Sequence, residues 1–148
     1  MGRLKYFIFT LGLFVLVNIG LFGQTPTSQV SGLKTSFLTC TSIFIEWTRG
    51  DGDNRIVVMK EGSAVDRDPV DGTIFFSSPT FKNGADIGNG NYVLFDGPLN
   101  LVNVNGLKPG TTYYINVYEY NNNSGNPKYL LTSPATTSFT TYGIDIKF

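Results

Sequence analysis

The 148-residue chain contains no histidine and a single cysteine, Cys40. The absence of histidine excludes Ser-His-Asp and Cys-His catalysis, the common His-containing zinc sites and the usual proton shuttle near neutral pH. A single cysteine excludes an intrachain disulfide and a cysteine-based metal cluster. We therefore expect no enzymatic activity and no cofactor, with Cys40 as a small buried thiol near the first strands of a domain that its core alone holds together.

The chain also lacks an excess of charge of either sign, since 11 Lys and Arg residues balance 11 Asp and Glu residues. Proteins that bind nucleic acid or anionic membranes usually carry an excess of positive charge. The composition gives no reason to expect either partner, and we predict no nucleic acid. The length of the chain indicates one domain.

Long apolar runs are absent except at the N-terminus, where residues 7–22 follow the basic residues Arg3 and Lys5. This arrangement is typical of a secretory signal peptide, here residues 1–23, with a mature chain that begins at Gln24. A membrane anchor is the alternative, but the run is shorter than the roughly 20 apolar residues of a spanning helix. We expect an exported protein, secreted or on the cell surface, that meets the membrane only through its cleavable peptide.

After the signal peptide, the sequence changes to a pattern of strands and turns. Residues 24–32, rich in Thr, Ser and Gln, predict an exposed lead-in, and residues 33–141 predict a β-domain. Ile43, Ile45 and Trp47 share one face of the second strand, so Trp47 is predicted to be a core residue rather than a ligand-stacking one. The main strands are predicted at residues 30–38 (A), 41–48 (B), 55–60 (C), 99–105 (E), 112–120 (F) and 128–140 (G), with a B–C turn at residues 49–54 and an F–G loop at residues 121–127.

One segment predicts a specific corner between two strands. Pro109 and Gly110 form a turn pair, which Leu107 can anchor from below. Tyr113 and Val117 follow on one face of the next strand. With this spacing the segment resembles the E–F corner of fibronectin type III domains, in which the tyrosine hydroxyl returns to the turn backbone. The resemblance implies an all-β fold, an immunoglobulin-like (fibronectin type III-like) β-sandwich of seven strands.

The connection between strands C and E, from Glu61 to Pro98, is much longer than in a plain fibronectin type III domain. Strand C carries four apolar residues in succession, Ile56–Met59, and needs cover on both faces. Strand-like pieces at Thr73–Phe76 and Tyr92–Phe95 predict an extended insertion that packs on this strand. The large apolar residues of the insertion are Phe75, Phe76, Phe81, Ile87, Tyr92, Leu94 and Phe95.

Three segments resemble a variety of fibronectin type III-like domain from exported proteins of Gram-negative, Bacteroidetes-type bacteria. They are Arg55–Val65, Gly90–Val93 and Val117–Asn121. Such domains belong to multidomain proteins, whereas this chain offers one copy and no catalytic neighbour. A lone module has no neighbours to space apart, which favours a subunit of an assembly.

Tyr114, Tyr118 and Tyr120 lie on the face of strand F opposite the core. They could stack on sugar rings, form a protein contact or support the Phe-rich insertion, and the need of strand C for cover on its outer face favours the last. Two functions follow: a structural or adhesive unit that binds proteins or itself, and a carbohydrate-binding accessory module. An exposed tyrosine strip would favour sugar binding, whereas burial under the insertion would favour a scaffold. The predicted covering residues are Phe75, Phe76 and Phe95.

Two acidic turns offer oxygen ligands to calcium, although neither has the ordered spacing of an EF-hand. The candidate ligands are Asp51, Asp53, Asp66, Asp68 and Asp71. Turn formation is the simpler interpretation, and we predict no metal.

Arg49-Gly50-Asp51 is a tripeptide that integrins read in some fibronectin type III domains, but there it lies in the F–G loop and here in the B–C turn.

The tail, residues 142–148, lies beyond the predicted sandwich. Ile144, Ile146 and Phe148 alternate as in a strand. An edge strand exposes unpaired N–H and C=O groups with which such a segment can pair. We predict that the tail adds to an edge of its own or an adjacent module and supports head-to-tail association.

Overall fold

The computed structural model describes residues 23–144, which form eight strands and no helix, and hence no helix that could cross a membrane. The strands are β1 (Ser31–Ser36), β2 (Ile43–Thr48), β3 (Asn54–Glu61), β4 (Asn91–Gly97), β5 (Leu101–Val104), β6 (Thr112–Asn123), β7 (Asn126–Tyr129) and β8 (Ala135–Thr140). The alternating sequence of β2 and β5 is matched by alternating burial. The predicted signal peptide lies outside the described residues, except for Gly23.

The strands form two antiparallel sheets. In the three-stranded sheet, β2 lies between β1 and β5. In the five-stranded sheet, β3 lies between β4 and β6. Both β7 and β8 pair with the other side of β6, β7 with its C-terminal part and β8 with its N-terminal part.

The inner faces of the two sheets enclose the main core. Trp47, Tyr113 and Val117 belong to this one apolar cluster. The ring of Trp47 meets Phe95 edge to face, with ring centroids 5.7 Å apart. Phe81, from the insertion, lies edge to face against Tyr113 at 5.1 Å. The insertion therefore contributes to the core as well as to the surface.

The predicted corner is present between β5 and β6. The Lys108 N–H donates a hydrogen bond to the Tyr113 hydroxyl at 2.9 Å. Leu107 is buried below the turn and Pro109 is half-buried. The turn chemistry and the position of the tyrosine thus agree with the sequence.

The predicted last strand, residues 128–140, is in fact two strands. β6 continues further than predicted, so the predicted loop at residues 121–127 is reduced to a turn at Ser124 and Gly125. Both have positive φ, 54° and 87°, as tight hairpin turns require. Pro134 lies in the break between β7 and β8, because proline has no N–H to donate to a neighbouring strand.

The lead-in, which the sequence predicted to be exposed, is docked on the sandwich. Pro26 and Val30 are buried. The Asp51 carboxylate accepts hydrogen bonds from the backbone N–H groups of Thr27 (3.0 Å) and Ser28 (2.8 Å) and from the Thr27 hydroxyl. These hydrogen bonds, that of the hydroxyl above all, hold the pKa of Asp51 below its usual value.

Gln29 closes the break between β7 and β8. Its side-chain oxygen accepts a hydrogen bond from the Glu119 N–H at 2.9 Å, and its amide donates to the carbonyls of Leu130 and Thr132. The Gln29 carboxamide therefore supplies hydrogen bonds to β6 and to the chain after β7, in the gap where no strand backbone pairs with β6. A polar side chain in the lead-in is thus part of the five-stranded sheet.

A buried ion pair holds one end of the sandwich together. Arg55 of β3 and Glu119 of β6 are partners in register, and neither side chain has exposed surface. The guanidinium donates two hydrogen bonds to the carboxylate, at 2.9 and 3.0 Å. The N–H groups of Gly50 and Gly52 also donate to the carboxylate, and the Pro98 carbonyl accepts from the guanidinium. The pair thus fixes the β2–β3 turn and the end of the insertion.

Replacement of Glu119 by Gln leaves the Arg55 charge buried without its counter-ion. We expect the free energy of unfolding, measured with urea, to fall by about 3–5 kcal/mol. The matched control is Glu46→Gln, which breaks the exposed Lys34–Glu46 pair and should cost at most about 1 kcal/mol. Equal effects of the two variants would contradict a special role of the buried pair.

Candidate interaction surface

The insertion crosses the outer face of the five-stranded sheet and covers most of it, as the sequence predicts for strand C. Its segment Thr73–Phe76, predicted to be strand-like, forms no strand in this crossing, whereas Tyr92–Phe95 lies within β4. A second apolar cluster results, separate from the main core. It contains Ile56, Val58, Val93, Tyr118, Tyr120 and Tyr129, with Val65, Phe75, Ala85 and Ile87 packed against it.

Of the three predicted covering residues, only Phe75 lies in this cover, with its ring centroid 6.4 Å from that of Tyr129. Phe76 is 71% exposed. Phe95 faces Trp47 in the main core, because it pairs with Val57, whose side chain points inward. The prediction for these two residues was wrong. For Phe95 the reason is the register shift between β3 and β4, which a period-2 pattern does not reveal. Phe76 lies in a segment that forms no strand, so strand alternation does not apply to it.

The strip of three exposed tyrosines that would favour sugar binding does not exist, because Tyr118 and Tyr120 are buried, as the sequence analysis favoured. The Tyr118 hydroxyl donates to Asp68 at 2.7 Å and accepts from the Asn116 amide at 2.9 Å. The Tyr120 hydroxyl donates to Asp96. Burial raises the pKa of both tyrosines. These two side chains stabilise the fold beneath the insertion and are not available to stack on a sugar.

Tyr114 is the member of the trio that still reaches solvent. It is half-buried at a groove of about 330 Å³ between the start of the insertion and β8. The lining residues are Ala64, Val65, Tyr114, Ile115, Asn116, Thr136, Thr137 and Ser138. Because none of them is charged, the groove suits a neutral partner that offers hydrogen bonds and some apolar surface. We refer to it as the Tyr114 groove.

The five candidate calcium ligands do not converge. Each is held by a different donor: the lead-in backbone for Asp51, the Asn122 N–H for Asp53, Lys60 for Asp66, the Tyr118 hydroxyl for Asp68 and the Tyr129 N–H for Asp71. Within residues 23–144 no three acidic, Cys or His side chains form a group that could hold a metal ion. These carboxylates stabilise turns and the insertion.

The Arg49-Gly50-Asp51 tripeptide is part of the scaffold between β2 and β3. The Asp51 carboxylate is occupied by the docked lead-in, and the Gly50 N–H donates to Glu119. A receptor that reads the carboxylate would have to displace the lead-in. The arrangement therefore favours the structural interpretation of this turn.

The insertion also covers two sheet edges. At β4, the Val93 N–H donates to the Ala85 carbonyl at 3.0 Å. At β7, the Pro127 carbonyl accepts from the Gly72 N–H at 2.9 Å. The same chain segment thus satisfies backbone groups on both sides of the five-stranded sheet.

The edges of the three-stranded sheet are protected in other ways. Past the end of β5, the Asn105 backbone exchanges hydrogen bonds with Pro79 and Phe81 of the insertion, each 2.9 Å long. β1 is interrupted by a bulge before Lys34, with Gly32 at φ 58°. Bulges and charged side chains are common devices against strand addition. β8 lies close to β1, but no backbone hydrogen bond joins these two described strands, and β8 has neither a bulge nor a charged side chain.

The described part of the tail is exposed and forms no strand. Tyr142 and Ile144 are 62% and 65% exposed. The Tyr142 N–H donates to the Thr39 carbonyl and its own carbonyl accepts from the Gly110 N–H, so the chain passes between these loops. Ile146 and Phe148 lie outside the described residues. Tail addition to a strand edge stays a prediction.

Sequence reasoning missed the groove residues Asn116, Thr136 and Ser138. For Thr136 and Ser138, the sequence signal was the uncharged, Thr-rich composition of residues 135–140, because edge strands usually carry charged residues that prevent pairing. Val65 gave no signal, because its place at the groove depends on the path of the insertion.

The sequence matches no known protein-family model and no curated protein. Solved structures with a similar fold include the fourth fibronectin type III domain of a human protein (TM-score 0.54, 16% identity, 93% of this chain and 97% of that domain). They also include the fibronectin type III domain of human fibronectin type III domain containing protein 3, with a TM-score of 0.51 and 18% identity over 82% of this chain and 91% of that chain. A third is a computationally redesigned β-sandwich protein, with a TM-score of 0.53 and 16% identity over 79% of this chain and 97% of that chain. The chain therefore has a fibronectin type III-like β-sandwich fold, as the sequence predicted. The bacterial variety stays a prediction.

The Tyr120–Asp96 contact predicts a specific pH dependence. Burial raises the pKa of Asp96 above its unfolded value, although the Tyr120 hydrogen bond opposes the shift. Protonated Asp96 therefore contributes stability that is fully present below the unfolded pKa of this group. This contribution is lost as the pH rises through its folded pKa. In Asp96→Asn this loss is absent, so the stability of the variant relative to wild type should increase from about pH 3 to pH 7 in urea titrations.

Asp66→Asn serves as the control with the opposite sign. Lys60 and Asn91 lower the pKa of Asp66 to about 2. Its contribution is present above the unfolded pKa and lost as the pH falls, so this variant should lose stability relative to wild type as the pH rises. Parallel trends for the two variants would contradict the assignment.

Proposed function

We propose that this protein is an exported, non-enzymatic β-sandwich module that acts as a structural or adhesive protein-interaction unit, at the cell surface or in an extracellular assembly. The observation that carries the proposal is the open edge of β8 beside the Tyr114 groove, in a domain whose other edges are covered, interrupted or, at β5, only four residues long. Thr136 and Ser138 contribute to both features. Open edges bind extended segments of other proteins through backbone hydrogen bonds, and adjacent grooves select side chains.

Export is supported by the N-terminal sequence alone. The basic residues, the apolar run and the following small residue match a cleavable signal peptide. The docked lead-in is compatible with cleavage after Gly23, because the first backbone N–H groups that Asp51 binds belong to Thr27 and Ser28.

In a Gram-negative host, the secreted or periplasmic protein should have the intact mass of residues 24–148. Val15→Arg, which interrupts the apolar run, should leave the full-length chain inside the cell. Retention of residues 1–23 on exported wild-type protein would indicate a membrane anchor instead.

A carbohydrate-binding module is the second candidate, and the Tyr114 groove is the observation that favours it. Its aromatic ring, hydroxyls and amide are neutral groups that suit a sugar. The burial of Tyr118 and Tyr120 removes the extended stacking platform, so the groove could hold only a small part of a polysaccharide. Protein interaction is therefore favoured.

Site-specific photo-crosslinking in exporting cells separates the candidates. A photoreactive side chain at Ser138 should give protein adducts, whereas the same group at Asn103, exposed on the other sheet, should give few. Equal labelling at both positions would contradict an interaction site at β8. Glycan-array binding that Tyr114→Ala abolishes would favour the carbohydrate module.

A further inference from the structure

We infer that β8 pairs with β8 of a second copy of this chain, about a two-fold axis, to join two five-stranded sheets. This inference rests on the proposed function, because it names one partner for the same open edge. It differs from the predicted tail addition, since β8 lies wholly within the described residues.

The backbone of β8 is prepared for strand addition. β8 pairs with β6 without a register shift from Thr112–Thr140 to Val117–Ala135. The Thr141 N–H donates to the Thr111 carbonyl, so these two opposite residues are a hydrogen-bonded pair. Along β8, every second residue from Thr141 is therefore hydrogen-bonded to β6. By this alternation the N–H and C=O groups of Thr136, Ser138 and Thr140 point away from β6. All three residues are exposed, and no backbone hydrogen bond within residues 23–144 occupies that side.

The side chains of β8 are complementary to themselves. If Ser138 lies on the axis, it faces Ser138 of the second copy, and Thr136 faces Thr140. Every cross-strand pair on the outer face is then hydroxyl against hydroxyl, a favourable pairing in antiparallel sheets. β8 has no charged residue that would repel its copy. The surface patch is the same on both subunits, as a two-fold interface requires.

The other edges are less suited to the same pairing. The insertion already bonds to β4, β7 and the end of β5. β1 carries Lys34, so pairing with β1 of a second copy would bring two lysines close together. The bulge in β1 would also interrupt the register of such a pairing. β5 is neutral but has only four residues, whereas β8 has six. A second copy therefore finds in β8 the longest described edge that is straight, neutral and open.

Charge variants at the axis test the inference on the mature chain, residues 24–148. Wild type should form a concentration-dependent dimer in sedimentation velocity. Ser138→Lys and Ser138→Glu should each raise the dimer dissociation constant at least about tenfold, because like charges then meet. An equimolar mixture of the two variants should restore the dimer. Asn103→Lys is the control and should leave the dissociation constant unchanged.

Disulfide trapping tests the register. In a Cys40→Ala background, Ser138→Cys should form a disulfide-linked dimer under mild oxidation, since hydrogen-bonded partners have Cα atoms about 5.5 Å apart. Thr137→Cys, whose backbone groups and side chain point elsewhere, should not. Circular dichroism and urea unfolding verify that the variants keep the fold.

Three results would overturn the inference: a monomeric wild type at its highest soluble concentration, failure of the charge mixture to dimerise, or a dimer that truncation after Thr141 abolishes while Ser138→Lys leaves it intact. The last result would support the tail instead. A monomer that still gives adducts with other proteins at Ser138 in cells would refute self-pairing and leave the proposed function standing.

Discussion

The carboxylate of Glu119 and the guanidinium of Arg55 meet without access to water at one end of the core. Two buried charges lower the stability unless their mutual attraction and further hydrogen bonds offset the loss of hydration. Here the further hydrogen bonds come from the β2–β3 turn and the end of the insertion. The Glu119 N–H also receives Gln29 of the lead-in. Three irregular segments must therefore adopt one arrangement for the pair to form.

The insertion occupies surfaces of the sandwich that another protein could otherwise bind. It fills part of the core through Phe81, buries the outer face around Tyr118 and satisfies backbone groups at β4 and β7. The accessible surface of the five-stranded sheet is thereby reduced to the Tyr114 groove and the β8 edge. Together with the bulge in β1, this leaves β8 as the longest described edge that is regular and uncovered.

The three tyrosines of β6 show how far the sequence could define this surface. Tyr114, Tyr118 and Tyr120 share one face by strand periodicity, and the predicted cover by the insertion is present over Tyr118 and Tyr120, with Phe75 as the only one of the three predicted covering residues in it. Their environments differ because the insertion crosses only one end of the strand, over Tyr118 and Tyr120. No local pattern encodes where that crossing lies, so neither the groove nor the place of Asn116 in it could be predicted.

The sequence by itself determined the tyrosine corner at Tyr113, the core position of Trp47 and the sandwich fold. These features follow from turn chemistry and period-2 alternation, which act between residues close together in the chain. Only the tertiary structure decided the Arg55–Glu119 pair, the docking of Gln29 and the open edge of β8. Gln29 and Leu130 are 101 residues apart, and Arg55 and Glu119 are 64 apart. Such contacts depend on how complete strands and loops pack, because the hydrogen bonds that satisfy each buried group come from segments that are brought together only when the domain folds.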